Sequence, residues 1–507
     1  MAKTPKKNNK RTSLKSEIKA ICDIMRRSNC AGAMQYVPEL TWLLFLQILD
    51  GREESESDIA TALGNTFLPS LSEPYRWKDW ASKDGSKRIE LTEGKMGGFF
   101  EFVNDKLIPH LKKLRDAPDA TPRQKVISEI LSGVERVRID TEKNLLDILD
   151  KIDELSGDSI NDTHIFTMSQ IYEELLLKMG EKGNDGGQFF TPREIVRAMI
   201  RVLDPKPGET VYDPCCGTGG FLVQAYLYIM DAAQEKGADA IEFLKHSTLF
   251  GREKENLIYP ITLANMILHG IEQPSIWHGN TLTGHEVFGG LFSSAPPNFD
   301  VILTNPPFGG KEGKEAQTNF AYKTGSTQIL FLQHIIDSLK HGGRCAIVIG
   351  EGVLFRTNEA AFVQTKRKLL DDCNVYCIVS LPGGMFTSAG AGVKTNILFF
   401  EKGTRTERVW YYDLSDIKVN KSNPFTINKL DEFFELLPTK GDSERSWTVE
   451  RQILEDKNFD LKAINPNTKQ VQDERTLSEL LSIIENKTAS IKEATESLKQ
   501  ILDGVDE

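Results

Sequence analysis

Apolar residues in the first third of the chain recur in steps of three and four: Ile18, Ile21, Ile24 and Met25, then Leu43, Leu46 and Leu49, then Leu145, Ile148, Ile152 and Leu155. Such steps put side chains on one face of a helix, so residues from about 16 to 165 are predicted to be helical. A polar, aromatic-bearing stretch, Tyr75-Arg76-Trp77-Lys78-Asp79-Trp80, interrupts them and reads as a packed loop. A further helical pattern runs from Ile171 to Met179 and stops at Gly180, and segment 181–187 then feeds Gln188-Phe189-Phe190-Thr191-Pro192-Arg193. Thr191 suits an N-cap and Pro192 a first helical residue, so a helix is predicted to start here and run through Ile195, Met199 and Val202.

After residue 205 the pattern changes to short apolar runs. Seven strands are predicted, at 209–213, 248–253, 275–279, 299–304, 343–349, 374–380 and 394–400, with helical patterns such as Leu257, Ile258, Ile261, Ala264, Ile267 and Leu268 between them. Strands alternating with helices imply an α/β fold built on a doubly wound sheet, in which ligands bind beyond the strand C-termini where the strand order switches. Beyond about 425 strand signals fade. Near the end Leu477, Leu481, Ile484, Thr488, Ile491, Thr495, Leu498 and Leu502 step alternately by four and three, a heptad seam with two threonines in it. One such stripe cannot bury itself, so it packs on a partner helix or back on its own chain. Three parts are therefore expected: 1–165 helical, 166–425 α/β, and 426–507 helical.

Composition narrows the setting. With 507 residues, 39% hydrophobic and 27% charged, the chain reads as a soluble globular protein. The densest apolar run, Leu40 to Leu49, is too short for a bilayer and contains Gln47, so no membrane segment is expected. A polar N-terminus and seven cysteines without a CxxC pair point to a reducing cytoplasm, with no metal site expected. The net charge of −11 would hold duplex DNA poorly. The local exception is a basic tail, residues 1–15, with Lys3, Lys6, Lys7, Lys10, Arg11 and Lys15, which is either a solvated tail or a DNA-binding arm.

The fourth strand ends in Asp300-Val301-Ile302-Leu303-Thr304-Asn305-Pro306-Pro307-Phe308. Neither proline has an N–H, so the stiff segment offers carbonyls and the Asn305 amide as acceptors beside the flat face of Phe308. That arrangement suits a planar group with an exocyclic amine, although Asn-Pro-Pro can also simply turn the chain. The first strand runs into Asp213-Pro214-Cys215-Cys216-Gly217-Thr218-Gly219-Gly220-Phe221, a strand, glycine loop and helix. A dinucleotide fingerprint would need glycine at position 222, which is Leu222, and the phosphate-cradling Gly-Lys-Ser/Thr fails at Gly313-Lys314-Glu315. What is left is a nucleoside-like ligand without phosphates.

These motifs resemble those of amino-methyltransferases that use S-adenosyl-L-methionine. Together with the 187–193 motif and Gly392-Val393-Lys394-Thr395-Asn396-Ile397-Leu398-Phe399-Phe400, they resemble the modification (methyltransferase) subunit of type I restriction-modification systems, over about residues 165 to 415. The resemblance implies a seven-stranded methyltransferase domain that modifies N6 of adenine in DNA. It implies cofactor contacts from Gln188, Phe189, Phe190, Thr191, Pro192, Arg193, Asp213, Gly217, Thr218, Gly219 and Gly220, with Glu253 on the ribose and Asn280 at the adenine ring. Catalysis would belong to Asn305, Pro306, Pro307 and Phe308. Glu253 can also be read as a surface acid and Asn280 as a turn residue.

The implied partners are DNA, a specificity subunit that reads the target, a second copy of the modification subunit and a restriction/translocase subunit. The N-terminal helices would cover DNA or bind a partner subunit. Residues 309–327, with Lys311, Lys314, Lys323, Phe320 and Tyr322, read as a mobile loop closing over displaced DNA or as a floppy surface loop. Leu381-Pro382-Gly383-Gly384-Met385-Phe386 resembles the segment that packs against the flipped base. Cytosine N4 methylation uses the same physics, and a non-catalytic assembly subunit with a vestigial cofactor fold is the reading from another class.

Overall fold

The computed structural model describes residues 19–30, 32–155, 191–271, 273–284, 295–386, 394–420, 423–467 and 476–503. The basic tail, the helix expected at 171–179, and Gln188, Phe189 and Phe190 lie outside the described residues.

The N-terminal part is helical, as its periodicity predicts. Helix α1 (Ala33–Ala62) buries its first half nearly all round, through Trp42, Leu43, Leu46 and Leu49 among others. The stretch expected to be a loop around residues 75–80 forms a helical turn, Trp77–Trp80, because its two indoles are core residues. Trp80 stacks on Trp42 at 6.5 Å and meets Trp77 edge-on at 5.5 Å. Helix α2 (Pro122–Leu131) opens on a reciprocal cap in which Thr121 Oγ1 accepts from Gln124 N and Gln124 Oε1 accepts from Thr121 N. Helix α3 (Glu142–Leu155) completes the group.

Helix α4 (Arg193–Leu203) leads into a sheet with β1 (Val211–Asp213), α5 (Gly220–Lys236), β2 (Leu249–Glu253), α6 (Tyr259–Leu268), β3 (Ser275–His278) and β4 (Phe299–Thr304). Then come α7 (Thr327–Ser338), β5 (Leu339–Gly350), β6 (Cys373–Ser380), β7 (Thr395–Lys402), β8 (Arg408–Asp413) and β9 (Ser446–Glu450). All seven predicted strands form. Their order, β3-β2-β1-β4-β5-β7-β6-β8-β9, adds two strands at one edge. β9 falls where helix alone was expected: Ser446-Trp447-Thr448-Val449-Glu450 is a short edge strand with only two apolar residues, too weak a pattern to read.

The central strands are apolar throughout because both faces are covered. Val301, Leu303, Ala346 and Val348 point into one core, and Ile302, Cys345, Ile347 and Ile349 into the other. β1 pairs in parallel with β2 on one side and β4 on the other, Val211 facing Leu249 and Val301. The order reverses at β1, so the ends of β1 and β4 flank the crevice where such sheets bind ligands.

Helical and sheet parts pack as one unit through residue 464. Helix α6 lies against α1 and α2, and Arg52 Nη1 of α1 donates to the Ile267 carbonyl at 2.6 Å. Residues 465–507 form a separate unit containing α8 (Leu477–Asp503), on which the seam residues Leu481, Ile484 and Ile491 are 52, 60 and 67% exposed. Among the described residues no helix is long and apolar enough to cross a membrane.

Candidate active site

The glycine loop is shaped from beneath by polar side chains. Gly217 and Gly219 have φ of +52° and +80°, a left-handed backbone that favours glycine. A Cβ on Gly219 would stand 3.2 Å from Thr262 Cγ2. On α6, Thr262 Oγ1 donates to the Gly217 carbonyl and Asn265 Nδ2 to the Thr218 carbonyl at 2.8 Å. Thr281 Oγ1 holds the Pro214 carbonyl, and the Cys216 amide joins the Arg252 carbonyl of β2 at 2.9 Å. None of Thr262, Asn265 and Thr281 was singled out from sequence. The available signal was a polar pair three residues apart on an otherwise apolar helix, which buries both.

Two carboxylates close the loop's open side. Asp213 is 1% exposed, and its Oδ1 accepts from Thr304 Oγ1 at 2.7 Å and from the Cys215 amide at 3.2 Å. Glu253 is 6% exposed and accepts from the Gly217 amide at 2.9 Å and the Glu255 amide at 2.8 Å. Burial pushes each carboxyl up to about 7, and the neighbouring Glu255 and Asp213 charges raise Glu253 further. The reading of Glu253 as a surface acid is thereby corrected. Asn280 Oδ1 accepts from the Leu282 amide at 2.9 Å, so this side chain does brace its turn while also lining the cleft.

Gly217, Glu253, Asn280, Asn305 and Pro307 are among the residues lining that cleft. Thr218, Gly219 and Gly220 shape the turn without lining it. Asn305 follows the last residue of β4. Its Nδ2 donates to Thr191 Oγ1 at 3.0 Å, while Oδ1 is shielded from water and has no partner among the described residues. An unmet buried acceptor costs about 1–3 kcal/mol, so the residue stands one donor short. Pro306 is buried, and Phe308 is half-buried with Phe386 edge-on to its ring at 5.5 Å and 72°. The 381–386 segment and the acceptor motif therefore meet.

Two expectations need correction here. Thr191 does not cap α4: the Pro192 carbonyl accepts from Ile195 N at 2.9 Å and Val196 N at 3.1 Å, which makes Pro192 the N-cap and Arg193 the first helical residue. Segment 309–327 is not a free loop either. It contains a helical turn, Lys314–Thr318, and is fastened by Glu312 N to Gly325 O, Gln333 to both backbone groups of Tyr322, and Asn319 Nδ2 to Leu282 O.

The chain is similar to known proteins in sequence and in fold. The N-6 DNA Methylase family matches residues 163–475 and the HsdM N-terminal domain residues 14–152. The chain is 35% identical, over 521 aligned positions, to the EcoEI type I restriction enzyme methylase subunit of Escherichia coli, covering 97% of this chain and 98% of that one. It is 31% identical to the EcoKI methylase subunit of Escherichia coli strain K12, covering 82% and 74% respectively. A solved chain from work on complex assembly and conformational transition of the type I R-M system has a TM-score of 0.73 at 36% identity, covering 99% of both chains. A chain from Vibrio vulnificus YJ016 described as a type I modification subunit has a TM-score of 0.77 at 31% identity, covering 93% of this chain and all of that one.

Proposed function

The chain belongs to the type I restriction enzyme methylase subunits, within the N-6 DNA Methylase family, and from that premise we propose how its cleft methylates N6 of adenine in DNA. The observation that carries the reading is that Asn305, whose Oδ1 has no partner among the described residues, lines the same cleft as Glu253 and the Gly217 turn.

S-adenosyl-L-methionine fits the donor side. The cleft wall offers the buried Glu253 carboxylate as an acceptor for a pair of hydroxyl donors, beside the glycine turn that begins at Gly217. Asp213, the Gly217–Gly220 turn, Glu253 and Asn280 would hold it. Bound there, it supplies an electrophilic methyl group.

The chain's own residues act on the acceptor. The adenine N6 lone pair is delocalised into the ring, which makes it a weak nucleophile. Asn305 Oδ1 and the Pro306 carbonyl accept its two N–H bonds and return density to nitrogen, while Phe308, braced by Phe386, stacks on the flipped base. No covalent enzyme intermediate is required, so alignment is the main contribution.

A chain of net charge −11 gains its hold on DNA from partners, and the exposed seam of α8 suits a helix of a specificity subunit. A second modification subunit and a restriction/translocase subunit complete the assembly. The experiment is tritium transfer from labelled cofactor in the reconstituted complex: label in adenine N6 supports the reading, and label in cytosine or in protein rejects it. The isolated chain should bind cofactor yet methylate DNA weakly; strong sequence-specific methylation by it alone would overturn the assignment of target reading to a partner.

A further inference from the structure

We infer that Thr191 is a positioning residue whose hydroxyl holds the Asn305 amide in place for the target amine. The inference rests on the reading of Asn305 as the acceptor. In the structure Nδ2 donates to Thr191 Oγ1 at 3.0 Å, across 114 residues of chain, and among the described residues Oδ1 has no partner.

Thr191 is able to serve because it is not otherwise employed at the helix end. Cap duty for α4 falls to the Pro192 carbonyl, so the threonine hydroxyl is turned to Asn305. Its platform is firm. Ile195, Val196 and Met199 of α4 are buried against the sheet, and at the far end Arg344 Nε donates to the Leu203 carbonyl at 2.9 Å. The hydroxyl is thus held by one rigid element and the amide by another, which pre-organises the acceptor before a base arrives.

This differs from a cofactor contact by Thr191, which the family resemblance implied. A cofactor ligand would change donor affinity, whereas an amide-positioning residue changes the rate of the transfer step. Thr191→Val keeps the shape and removes the hydroxyl; Thr191→Ser keeps the hydroxyl. In the reconstituted complex, kcat for adenine methylation should fall about 10- to 100-fold in the valine variant, as expected for a misaligned reacting group. Its Kd for S-adenosyl-L-methionine, measured by calorimetry on the same sample and reporting folding as well, should stay within about twofold, and serine should restore most of the rate.

Loss of cofactor affinity in proportion to rate, an undiminished kcat, or failure of serine to rescue would each overturn the inference. If the valine variant does not fold, Thr191→Ala is judged by the same split. Asn305→Ala separates the two readings. Undiminished turnover in that variant sinks the acceptor reading and the Thr191 role with it; its inactivity alongside a fully active Thr191→Val sinks the Thr191 role alone.

Discussion

Thr304 Oγ1 donates to Asp213 Oδ1 at 2.7 Å, joining the C-terminal ends of two neighbouring parallel strands, one ending in the donor-side acid and the other in the residue before Asn305. Both groups are buried, and Cys215 Sγ lies 3.0 Å from the same hydroxyl. The hydrogen bond therefore couples the two halves of the cleft through side chains that water does not reach.

Thr304→Val should expose the importance of that link. Valine preserves volume but leaves the Asp213 carboxylate one donor short, which costs about 1.5–3 kcal/mol for a hydrogen bond to a charged group. Urea denaturation should show the chain less stable by roughly that amount, with the deficit growing as pH rises and the carboxyl ionises. Unchanged stability at pH 8 would mean that the hydroxyl contributes nothing to holding the acid.

The two raised carboxyls set a pH dependence. Asp213 and Glu253 titrate near 7 in the folded chain and near 4 unfolded, so the folded state binds their protons more tightly. Their contribution to stability is full below the unfolded values and is lost as pH rises from about 4 through about 7. The chain without cofactor should accordingly show a falling urea midpoint between pH 5 and 8, and Asp213→Asn with Glu253→Gln should flatten the slope. Because hydroxyl donors bind the ionised form, S-adenosyl-L-methionine affinity should weaken as pH drops below 7, which calorimetry at pH 6 and 8 checks.

Arg52 ties the helical part to the cofactor loop at one remove. Its guanidinium holds the Ile267 carbonyl on α6, and α6 carries the Thr262 and Asn265 side chains that grip Gly217 and Thr218. Arg52→Ala should destabilise the chain by about 1–3 kcal/mol and lower cofactor affinity as well. A stability loss with cofactor affinity intact would show that the loop is set independently of the helical part.

The seam on α8 predicts an assembly defect without a folding defect. Replacing Leu481, Ile484 and Ile491 with Lys should leave the thermal transition of residues 1–464 in place, since these side chains are already exposed in their own unit. Co-purification with the specificity subunit should be lost. Normal assembly by the triple variant would reject the seam as the contact.

Much of the molecule was legible in one dimension because the relevant signals are local. Strands buried on both faces read as unbroken apolar runs, a left-handed turn demands glycine at 217 and 219, and Asn-Pro-Pro-Phe places stiff backbone, acceptor and ring side by side whatever surrounds them. Tertiary structure alone decided the partners. The order of β5, β7 and β6, the two added edge strands, the Thr262 and Asn265 supports, and the engagement of Thr191 with Asn305 all depend on which groups meet across tens to more than a hundred residues. Periodicity reports which face of an element is apolar; it carries no record of which hydroxyl ends within 3.0 Å of which amide, because that distance is set by how whole elements pack.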